Sequence, residues 1–437
     1  MKFYAKHVLR WPVALLAVLV TQTAVGAPAE ERFLQNWPAW RGPLATGVAP
    51  QADPPVEFSE SKNLKWKVKL PGSGTSTPIV WEQKVFILTA IPTGKKTDSA
   101  PDALEIHQFV VLCYDRATGK ELWRRVAQER APYAGHHKDH GYASASPVTD
   151  GELLIAHFGS YGTYCYNLDG KLLWEKQLGV MQTRNNFGEG SSPALAGNLV
   201  VIVWDHEGDD FIVTLDKRTG KEVWRQKREE PTNWTTPVVV EHGGARQVVV
   251  NGTNHVCSYE LETGKPLWTS TGQTGNPLPC PVAAKEMVYV VSGFRGSMLQ
   301  AIKLGRTGDL TGTDAIAWTY KKNTPYVPSP LLYDGLFFCY SGNNAVLTVL
   351  DVSSGKPVID GERLEGISGV YASPVGATGR VYLAGRDGSL WVIKRSPTLE
   401  VLSKNKLDDG FDASPAAVGK ELFLRGRKNL YCLTEGK

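Results

Sequence analysis

The sequence predicts an all-β fold: an eight-bladed β-propeller of four-stranded antiparallel blades, closed by an N-terminal strand. The main observation is a short sequence motif that recurs eight times. In each copy Ser, Thr or Cys precedes a proline, and a hydrophobic strand follows. These prolines are Pro78, Pro147, Pro193, Pro237, Pro281, Pro330, Pro374 and Pro415. They lie 69, 46, 44, 44, 49, 44 and 41 residues apart, close to the period of one propeller blade. Because a single blade cannot bury both of its faces, the copies are expected to stack in a ring.

Residues 1–26 are predicted to be a Sec-type signal peptide. Lys2, Lys6 and Arg10 precede an apolar run over 11–20, and small residues follow it. The run is too short to cross a membrane as a helix. We therefore expect a periplasmic or secreted protein without a transmembrane anchor. Since no cysteine lies near the cleavage region, we also expect no lipid anchor. Residues 27–63 are predicted to be an N-terminal extension, and the propeller is predicted to span 64–433.

The net charge limits the kinds of partner that the protein can bind, and the positions of the cysteines argue against disulfides. The net charge is +4, and subtracting the three signal-peptide cations leaves about +1 (4 minus 3), which gives no electrostatic basis for binding nucleic acid. Cys113, Cys165 and Cys432 occupy one repeat position that other copies fill with small residues. This pattern favours buried packing positions over disulfides.

Each repeat divides into four strands. The innermost strand follows the proline, and the second is an apolar run such as 85–88, whose composition suits burial on both faces. The third strand leads into an acidic turn ending in Thr or Ser, Gly and Lys, as at 115–120, where the glycine allows positive φ. The fourth strand carries a tryptophan expected to pack between neighbouring blades. These tryptophans are Trp123, Trp174, Trp224 and Trp268, with Trp318 in a degenerate copy.

The two ends of the repeat array predict how the ring closes. The last repeat stops at Leu433 after three strands, whereas 64–68 reads as a lone fourth strand that contains Trp66. We expect this N-terminal strand to complete the eighth blade, so that no sheet edge is left open there. Two insertions, 91–105 and 127–141, interrupt the first blade and precede the second. Both are expected on one rim, where loops elaborate binding sites.

The segments before each proline lead into the innermost strands and therefore ring the mouth of the channel. They carry aromatic rings beside amides, which suit a sugar, a quinone or a peptide, and the largest concavity is the default binding site. Loops between second and third strands add polar groups on the same rim. The candidate ligand-binding residues are Asn185, Phe187, Glu189, Asn233, Trp234, Asn254, Asn276, Tyr326, Tyr371, Asp387 and Phe411. The alternative is that they are ordinary packing and turn residues.

Metal and catalytic signatures are weak. Glu189, Asn254 and Asp387 could offer oxygens to Ca²⁺, although sheet loops are rich in such residues for turn reasons alone. The histidines at 136, 137 and 140 have spacing compatible with zinc, but they lie in a Gly-flanked loop and are expected to be solvated or bonded locally. No Ser-His-Asp order, phosphate loop or pair of catalytic carboxylates stands out. We therefore predict no catalytic residues and leave the metal unassigned.

The repeat over 113–123, with its copies ending at Trp224 and Trp268, resembles the tryptophan-docking repeat of quinoprotein dehydrogenases and of the wider pyrroloquinoline-quinone (PQQ)-like propeller family. The segment 37–43, Trp-Pro-Ala-Trp-Arg-Gly-Pro, resembles the N-terminal sequence of exported bacterial members. The resemblance covers about 37–433. It implies either a calcium-dependent dehydrogenase with the quinone over the channel, or a scaffold similar to the outer-membrane assembly lipoprotein. Family dehydrogenases often carry a disulfide between adjacent cysteines, which this chain lacks.

These observations favour an exported, monomeric, non-enzymatic propeller without a cofactor, which binds a protein partner or small ligand at the channel mouth. One alternative is a periplasmic dehydrogenase of alcohols or sugars that uses PQQ and Ca²⁺, with Trp234 stacked on the cofactor. A second alternative is a propeller that binds a saccharide through the aromatic residues of the mouth.

Overall fold

The computed structural model describes residue 1 and residues 29–98, 103–342 and 344–436. Apart from Met1, the predicted signal peptide therefore lies outside the described residues. Across the described part of the chain the only α-helix is short, α1 at Ala29–Leu34, and no helix there is long and apolar enough to cross a bilayer. Besides this helix and two 3-10 turns at Gly159–Tyr161 and Arg184–Asn186, the regular structure described is β-strand, arranged as eight blades.

The first four blades each run from the innermost to the outermost strand in chain order. Blade 1 contains β2 (Ile79–Trp81), β3 (Lys84–Lys96), β4 (Glu105–Asp115) and β5 (Glu121–Arg130); blade 2 contains β6 (Val148–Thr149), β7 (Leu153–His157), β8 (Thr163–Asn167) and β9 (Leu172–Lys176). Blade 3 contains β10 (Ala194–Ala196), β11 (Leu199–Trp204), β12 (Phe211–Asp216) and β13 (Glu222–Lys227); blade 4 contains β14 (Val238–His242), β15 (Ala245–Val250), β16 (Val256–Glu260) and β17 (Pro266–Ser270).

Blades 5 to 7 repeat this order, whereas blade 8 takes its outermost strand from the N-terminal side of the propeller. Blade 5 contains β18 (Val282–Ala284), β19 (Met287–Ser292), β20 (Met298–Lys303) and β22 (Ile316–Tyr320); blade 6 contains β23 (Leu331–Tyr333), β24 (Leu336–Ser341), β25 (Val346–Asp351) and β26 (Pro357–Arg363). Blade 7 contains β27 (Val375–Ala377), β28 (Arg380–Ala384), β29 (Ser389–Lys394) and β30 (Val401–Lys406); blade 8 contains β31 (Ala416–Val418), β32 (Glu421–Arg425), β33 (Asn429–Thr434) and β1 (Leu64–Lys69). The predicted eight-bladed propeller is confirmed.

Blade 8 joins the two ends of the chain. β1 pairs antiparallel with β33, with Trp66 opposite Cys432 and Val68 opposite Leu430. The prediction that an N-terminal strand closes the ring is therefore confirmed. Cys432 lies opposite a tryptophan, as Cys113 does opposite Trp123, so the shared cysteine position is a packing position.

Two features depart from the predicted repeat. A fifth strand, β21 (Gly308–Asp309), adds to the outer edge of blade 4 and runs parallel to β17. In addition, the 91–105 insertion does not interrupt the strands of blade 1 as expected. β3 and β4 continue into it, and pairing extends to Lys96 opposite Glu105, because further ladder hydrogen bonds satisfy the backbone of the insertion.

Neighbouring blades are joined where a fourth-strand tryptophan lies on the acidic turn of the next blade. The indole Nε1 of Trp174 donates to the carbonyl of Lys217 at 2.8 Å, and Trp224 donates to Leu261 at 2.8 Å. The ring packs on the turn glycine: a Cβ added at Gly220 lies 2.6 Å from Trp174, and Gly220 itself has φ of +68°. The turn therefore needs glycine for its backbone angle and for the ring above it.

Replacing Gly220 with alanine is expected to lower the free energy of unfolding by about 2–4 kcal/mol, because strain at positive φ adds to a clash with Trp174. Gly379 is the matched control, since it has a similar φ of +70° but no heavy atom within 4 Å of an added Cβ. Gly379→Ala is expected to cost only about 1–2 kcal/mol. Urea denaturation of both variants measures the difference, and equal losses would contradict the docking role of the glycine.

The residues before the repeated prolines link adjacent blades around the channel. At six of the eight blade junctions, the side-chain hydroxyl accepts a hydrogen bond from the backbone N–H of the equivalent residue in the preceding blade. These bonds run from Thr77 to Ser146 (2.9 Å), Ser146 to Ser192 (2.8 Å), Ser192 to Thr236 (3.1 Å), Cys280 to Ser329 (3.0 Å), Ser329 to Ser373 (2.9 Å) and Ser373 to Ser414 (3.0 Å). The repeated Ser or Thr therefore satisfies buried backbone donors at the inner wall.

The N-terminal extension crosses the inside of the ring. Trp37 pairs with Val80 of blade 1, and the Ala49 N–H donates to the carbonyl of Gly376 in blade 7 at 2.8 Å. Between them, the buried guanidinium of Arg41 donates to the carbonyls of Pro330 (2.9 Å) and Pro374 (3.1 Å). Burial lowers the pKa of Arg41 to about 10. We call residues 37–53 the plug.

Candidate functional site: the mouth cavity

A cavity of about 450 Å³ lies at the mouth of the channel, within the range of roughly 300–1,000 Å³ usual for ligand sites. We call it the mouth cavity. Its walls come mainly from the segments that precede the innermost strands of successive blades, while a loop of blade 5 contributes Phe294 and the plug contributes Trp40. The aromatic lining residues are Trp40, Phe187, Trp234, Phe294, Tyr326 and Tyr371. The principal polar lining residues are His137, Asp139, His140, Asn276 and Asp412.

The structure brings five of the eleven predicted site residues together in the mouth cavity: Phe187, Trp234, Asn276, Tyr326 and Tyr371. Glu189 and Asn233 line a neighbouring cavity of only about 30 Å³, which shares Ser144 and Gly190 with the first. That volume suits a water molecule or two rather than an organic ligand.

The other four predicted residues line neither cavity. Asn185 is exposed, in a left-handed conformation at φ +52°. Asn254 is exposed, and its amide donates to the carbonyl of Glu229 at 2.6 Å. Asp387 accepts a hydrogen bond from the Ser389 hydroxyl at 3.0 Å. Phe411 is fully buried in the core, where it packs edge-on against a tyrosine of β33. Phe411 is therefore not at the channel mouth as expected, because apolar packing between blades 7 and 8 takes its side chain into the core.

The structure also gives separate partners to the three residues considered for Ca²⁺. The Glu189 carboxylate accepts from Ser160, the backbone N–H of Asn254 donates to Glu230, and Asp387 bonds within its own turn. Over the described residues, no group of three or more His, Cys, Asp or Glu is arranged to hold a metal ion. The proposed oxygen set therefore does not assemble.

Glu189 is electrostatically unusual. Its carboxylate accepts hydrogen bonds from the backbone N–H of Ser160 at 2.6 Å and from the Ser160 hydroxyl. Burial outweighs these bonds and raises the pKa of Glu189 to about 7, since desolvation disfavours the charged form.

Protonated Glu189 is therefore expected to stabilise the fold at acidic pH. Its contribution is complete below the unfolded-state pKa of about 4.3 and is lost as pH rises through about 7, because the folded state holds the proton more tightly. Glu189→Gln keeps the shape and removes the titration. The free energy of unfolding of the native protein, relative to this variant, is expected to fall between pH 5 and pH 7.5. Urea denaturation at both pH values measures it, and parallel pH profiles would contradict the assignment.

Residues 131–142, which we call the strap, cross the mouth. The Asp139 carboxylate accepts from Arg386 at 2.8 Å and from the Tyr371 hydroxyl at 3.0 Å, both in blade 7. Nearer its own blade, the His137 N–H donates to the carbonyl of Phe187 at 2.9 Å. The bond from Arg386 keeps the pKa of Asp139 below its usual value. The strap therefore spans from the connection between blades 1 and 2 to blade 7.

The three histidines of the strap are bonded locally, as predicted. A ring nitrogen of His140 lies 2.8 Å from the Ser144 hydroxyl, and the other contacts the Phe187 carbonyl. His136 packs edge-on against Tyr142 with the ring centroids 4.5 Å apart. These contacts position the strap above the cavity.

Neutralising Asp139 is expected to loosen the strap. Asp139→Asn removes the charge paired with Arg386, and we expect amide hydrogen exchange over 131–142 to become several-fold faster, because local opening then breaks fewer stabilising bonds. Glu129→Gln is the control: it removes a carboxylate on β5 that bonds Lys95 and Gln108 outside the strap. Unchanged exchange in Asp139→Asn would show that the ion pair does not hold the strap.

The charges of the lining residues decide whether PQQ, the cofactor of the quinoprotein dehydrogenases that the sequence resembles, fits the mouth cavity. This quinone carries three carboxylates and needs cationic partners. None of the described residues that line the mouth cavity is Lys or Arg, and two are aspartates. Asp412 is already paired with Arg386 at 2.6 Å and with Arg427 at 2.8 Å. An anionic quinone therefore does not fit these side chains.

Sequence reasoning missed several lining residues. Trp40 lies in the N-terminal motif, but nothing in the pattern indicated that the extension enters the ring. Phe294 follows the second strand of blade 5, next to Arg295, and packs on Tyr326 with the ring centroids 5.0 Å apart. An aromatic residue in a loop between second and third strands was the available signal. Asp139 could not be found from the sequence, because Tyr371 and Arg386, which tie it to blade 7, lie more than 200 residues away.

Comparisons with known proteins match most of the chain to one family. The model of the family described as outer membrane protein assembly factor BamB matches residues 56–213 and 208–437. The chain is similar to proteins of that description from Burkholderia pseudomallei, with 26% identity over 41% of this chain and 41% of the relative, and from Shewanella oneidensis, with 23% identity over 63% and 64%. The matched stretches thus span less than two thirds of either relative.

Among solved structures, the fold is similar to that of the quinohemoprotein alcohol dehydrogenase from Comamonas testosteroni. The TM-score is 0.63 at 11% identity, over 92% of this chain and 81% of that chain. At this identity the likeness concerns the fold alone.

Proposed function

The chain belongs to the family of outer membrane protein assembly factor BamB, whose members are PQQ-like repeat propellers, and on this premise we propose that it is a non-enzymatic propeller that binds a protein partner in outer membrane assembly. We place the partner's binding site at the mouth cavity. We further propose that the protein is exported and acts on the periplasmic side of that membrane.

The observation that carries this proposal is the aromatic lining of the mouth cavity. Six aromatic side chains from the plug and from five blades surround it, and such residues dominate the energetics of protein interfaces. Its aspartates are engaged in ion pairs with Arg386 and Arg427. A wall of this kind can hold part of a polypeptide, whereas general acid–base or redox chemistry requires reactive groups aimed at a substrate.

A photoreactive amino acid tests the location of the partner. p-Benzoylphenylalanine replaces Tyr326 in the full-length chain, expressed in its native host, and the same residue replaces Leu122 as the control. Leu122 is 46% exposed on the outer strand of blade 1, away from the mouth. We expect ultraviolet light to produce a discrete adduct with an envelope protein from position 326 and not from position 122. The additional change Trp234→Ala is expected to remove it, and adducts from position 122 alone would overturn the proposed location.

A second measurement separates binding from dehydrogenase activity. Purified protein is incubated with PQQ and Ca²⁺ and assayed for a thermal shift and for dye reduction with alcohols and aldoses. We expect neither, because none of the described residues lining the cavity is a lysine or an arginine, and its two aspartates would repel an anionic quinone. Dye reduction above background would establish the dehydrogenase alternative instead.

A further inference from the structure

We infer that the mouth cavity receives an uncharged aromatic side chain from an extended segment of the partner. This inference rests on the proposed function and names the chemistry of the part that is bound. It follows from the hydrogen bonds, the charges and the geometry of the lining residues.

The polar ends of the lining aromatic residues are already engaged within the protein. The indole Nε1 of Trp234 donates to the Gly188 carbonyl at 2.8 Å, and that of Trp40 donates to the Ser414 hydroxyl at 3.3 Å. The Tyr371 hydroxyl donates to Asp139 at 3.0 Å. What these residues offer a ligand is therefore mainly the apolar surface of their rings.

The negative charges at the cavity wall are likewise neutralised by arginine side chains within the protein. Asp139 and Asp412 both pair with Arg386, and Asp412 also pairs with Arg427. The Arg386 guanidinium lies 4.0 Å from the centre of the Tyr371 ring, which holds it against the wall. A charged side chain entering the cavity would lose its hydration without gaining an unpaired counter-charge, and such burial is costly.

The lining also distinguishes an aromatic ring from a sugar. Sugar hydroxyls need free amide or carboxylate groups beside an aromatic platform. The Asn276 side-chain oxygen already accepts from Arg184 at 3.1 Å, and both aspartates are paired. Phe294 and Tyr326 lie tilted at 31° with their ring centroids 5.0 Å apart. A third ring can extend such a cluster in offset or edge-to-face contact, which adds about 0.5–1.5 kcal/mol beyond burial of area.

Capped pentapeptides test the inference directly. The probes are acetyl-Gly-Ser-X-Ser-Gly-amide with X as Phe, Leu, Glu or Lys, and ligand-detected NMR measures their affinity for the full-length protein. We expect the Phe peptide to bind with Kd on the order of 1 mM. We expect the Leu peptide to bind several-fold more weakly, and the Glu and Lys peptides at least tenfold more weakly. Methyl glucoside is expected not to compete.

Variants connect this binding to the cavity. Trp234→Ala and Tyr326→Ala are each expected to weaken the Phe peptide about tenfold, Trp234→Phe to retain most of the affinity, and Leu122→Ala to leave it unchanged. Equal or tighter binding of a charged peptide, competition by the sugar, or no binding of the Phe peptide up to about 10 mM would overturn the inference. If position 326 yields an adduct but the peptides show no preference for Phe, the result supports the proposed function and overturns the inference. Aromatic preference without an adduct from position 326 would show that the cavity accepts an aromatic side chain, and it would overturn the assignment of that side chain to the proposed partner.

Discussion

Replacing Trp66 with alanine is expected to lower the free energy of unfolding by about 3–5 kcal/mol, as for other buried tryptophans. Trp66 lies in β1, the strand that completes blade 8, and only 8% of it is exposed. Its indole donates to the carbonyl of Arg116 at 2.9 Å, and its ring packs against the turn glycine Gly119 and against Phe423. The substitution therefore weakens blade 8 and its junction with blade 1 together.

Chemical denaturation followed by circular dichroism measures this loss. Trp66→Phe is the conservative variant: it keeps an aromatic ring on the glycine but loses the hydrogen bond to Arg116, so we expect about half the effect. Leu122→Ala is the control, because it removes an apolar side chain that is exposed on the outer strand of blade 1 and not buried. If Trp66→Ala unfolds at the same urea concentration as the native protein, the closing strand contributes little to stability.

The second large effect is expected at Trp37, where the plug enters the ring. Trp37 is 0% exposed, pairs with Val80 of blade 1, and packs on Gly42, which has φ of +74°. Trp37→Ala leaves a space at the inner wall that the closed ring cannot fill by collapsing. We expect a loss of about 3–5 kcal/mol, again measured by chemical denaturation.

Trp40 is the matched control for Trp37, because it lies three residues further along the same segment and lines the mouth cavity instead of the core. Trp40→Ala is expected to cost about 1–2 kcal/mol and to abolish binding of the Phe peptide. The opposite ranking of the two stabilities would show that the plug is not anchored at Trp37.

The repeat itself could be predicted because its signals are local. The acidic turn, the glycine and the following tryptophan lie within ten residues, and the contact that Trp174 makes with Gly220 recurs at Gly119, Gly170, Gly264 and Gly355. The closure of blade 8 by β1 could be predicted by counting strands at the two ends of the repeat array. The fifth strand of blade 4 could not be predicted, since Gly308–Asp309 is too short to show a β pattern.

The plug and the strap could not be predicted because their partners are distant in sequence and vary from blade to blade. Arg41 bonds two carbonyls about 290 and 330 residues away, and no periodic signal marks such a position. For the mouth cavity, the sequence identified the segments that supply the wall but not the direction of each side chain. Trp234 and Tyr326 line the cavity, whereas Phe411 from an equivalent segment is core.

The pairing of β1 with β33 also has a consequence for how the chain acquires its fold. Leu64 pairs with Leu433, a separation of 369 residues (433 minus 64), so the final blade cannot form until β33 has been synthesised. Contacts of such high sequence separation slow folding and prolong the life of partly assembled intermediates. Arcs of a few blades are therefore expected to accumulate first, and a holdase chaperone that shields their open ends would raise the yield of native protein.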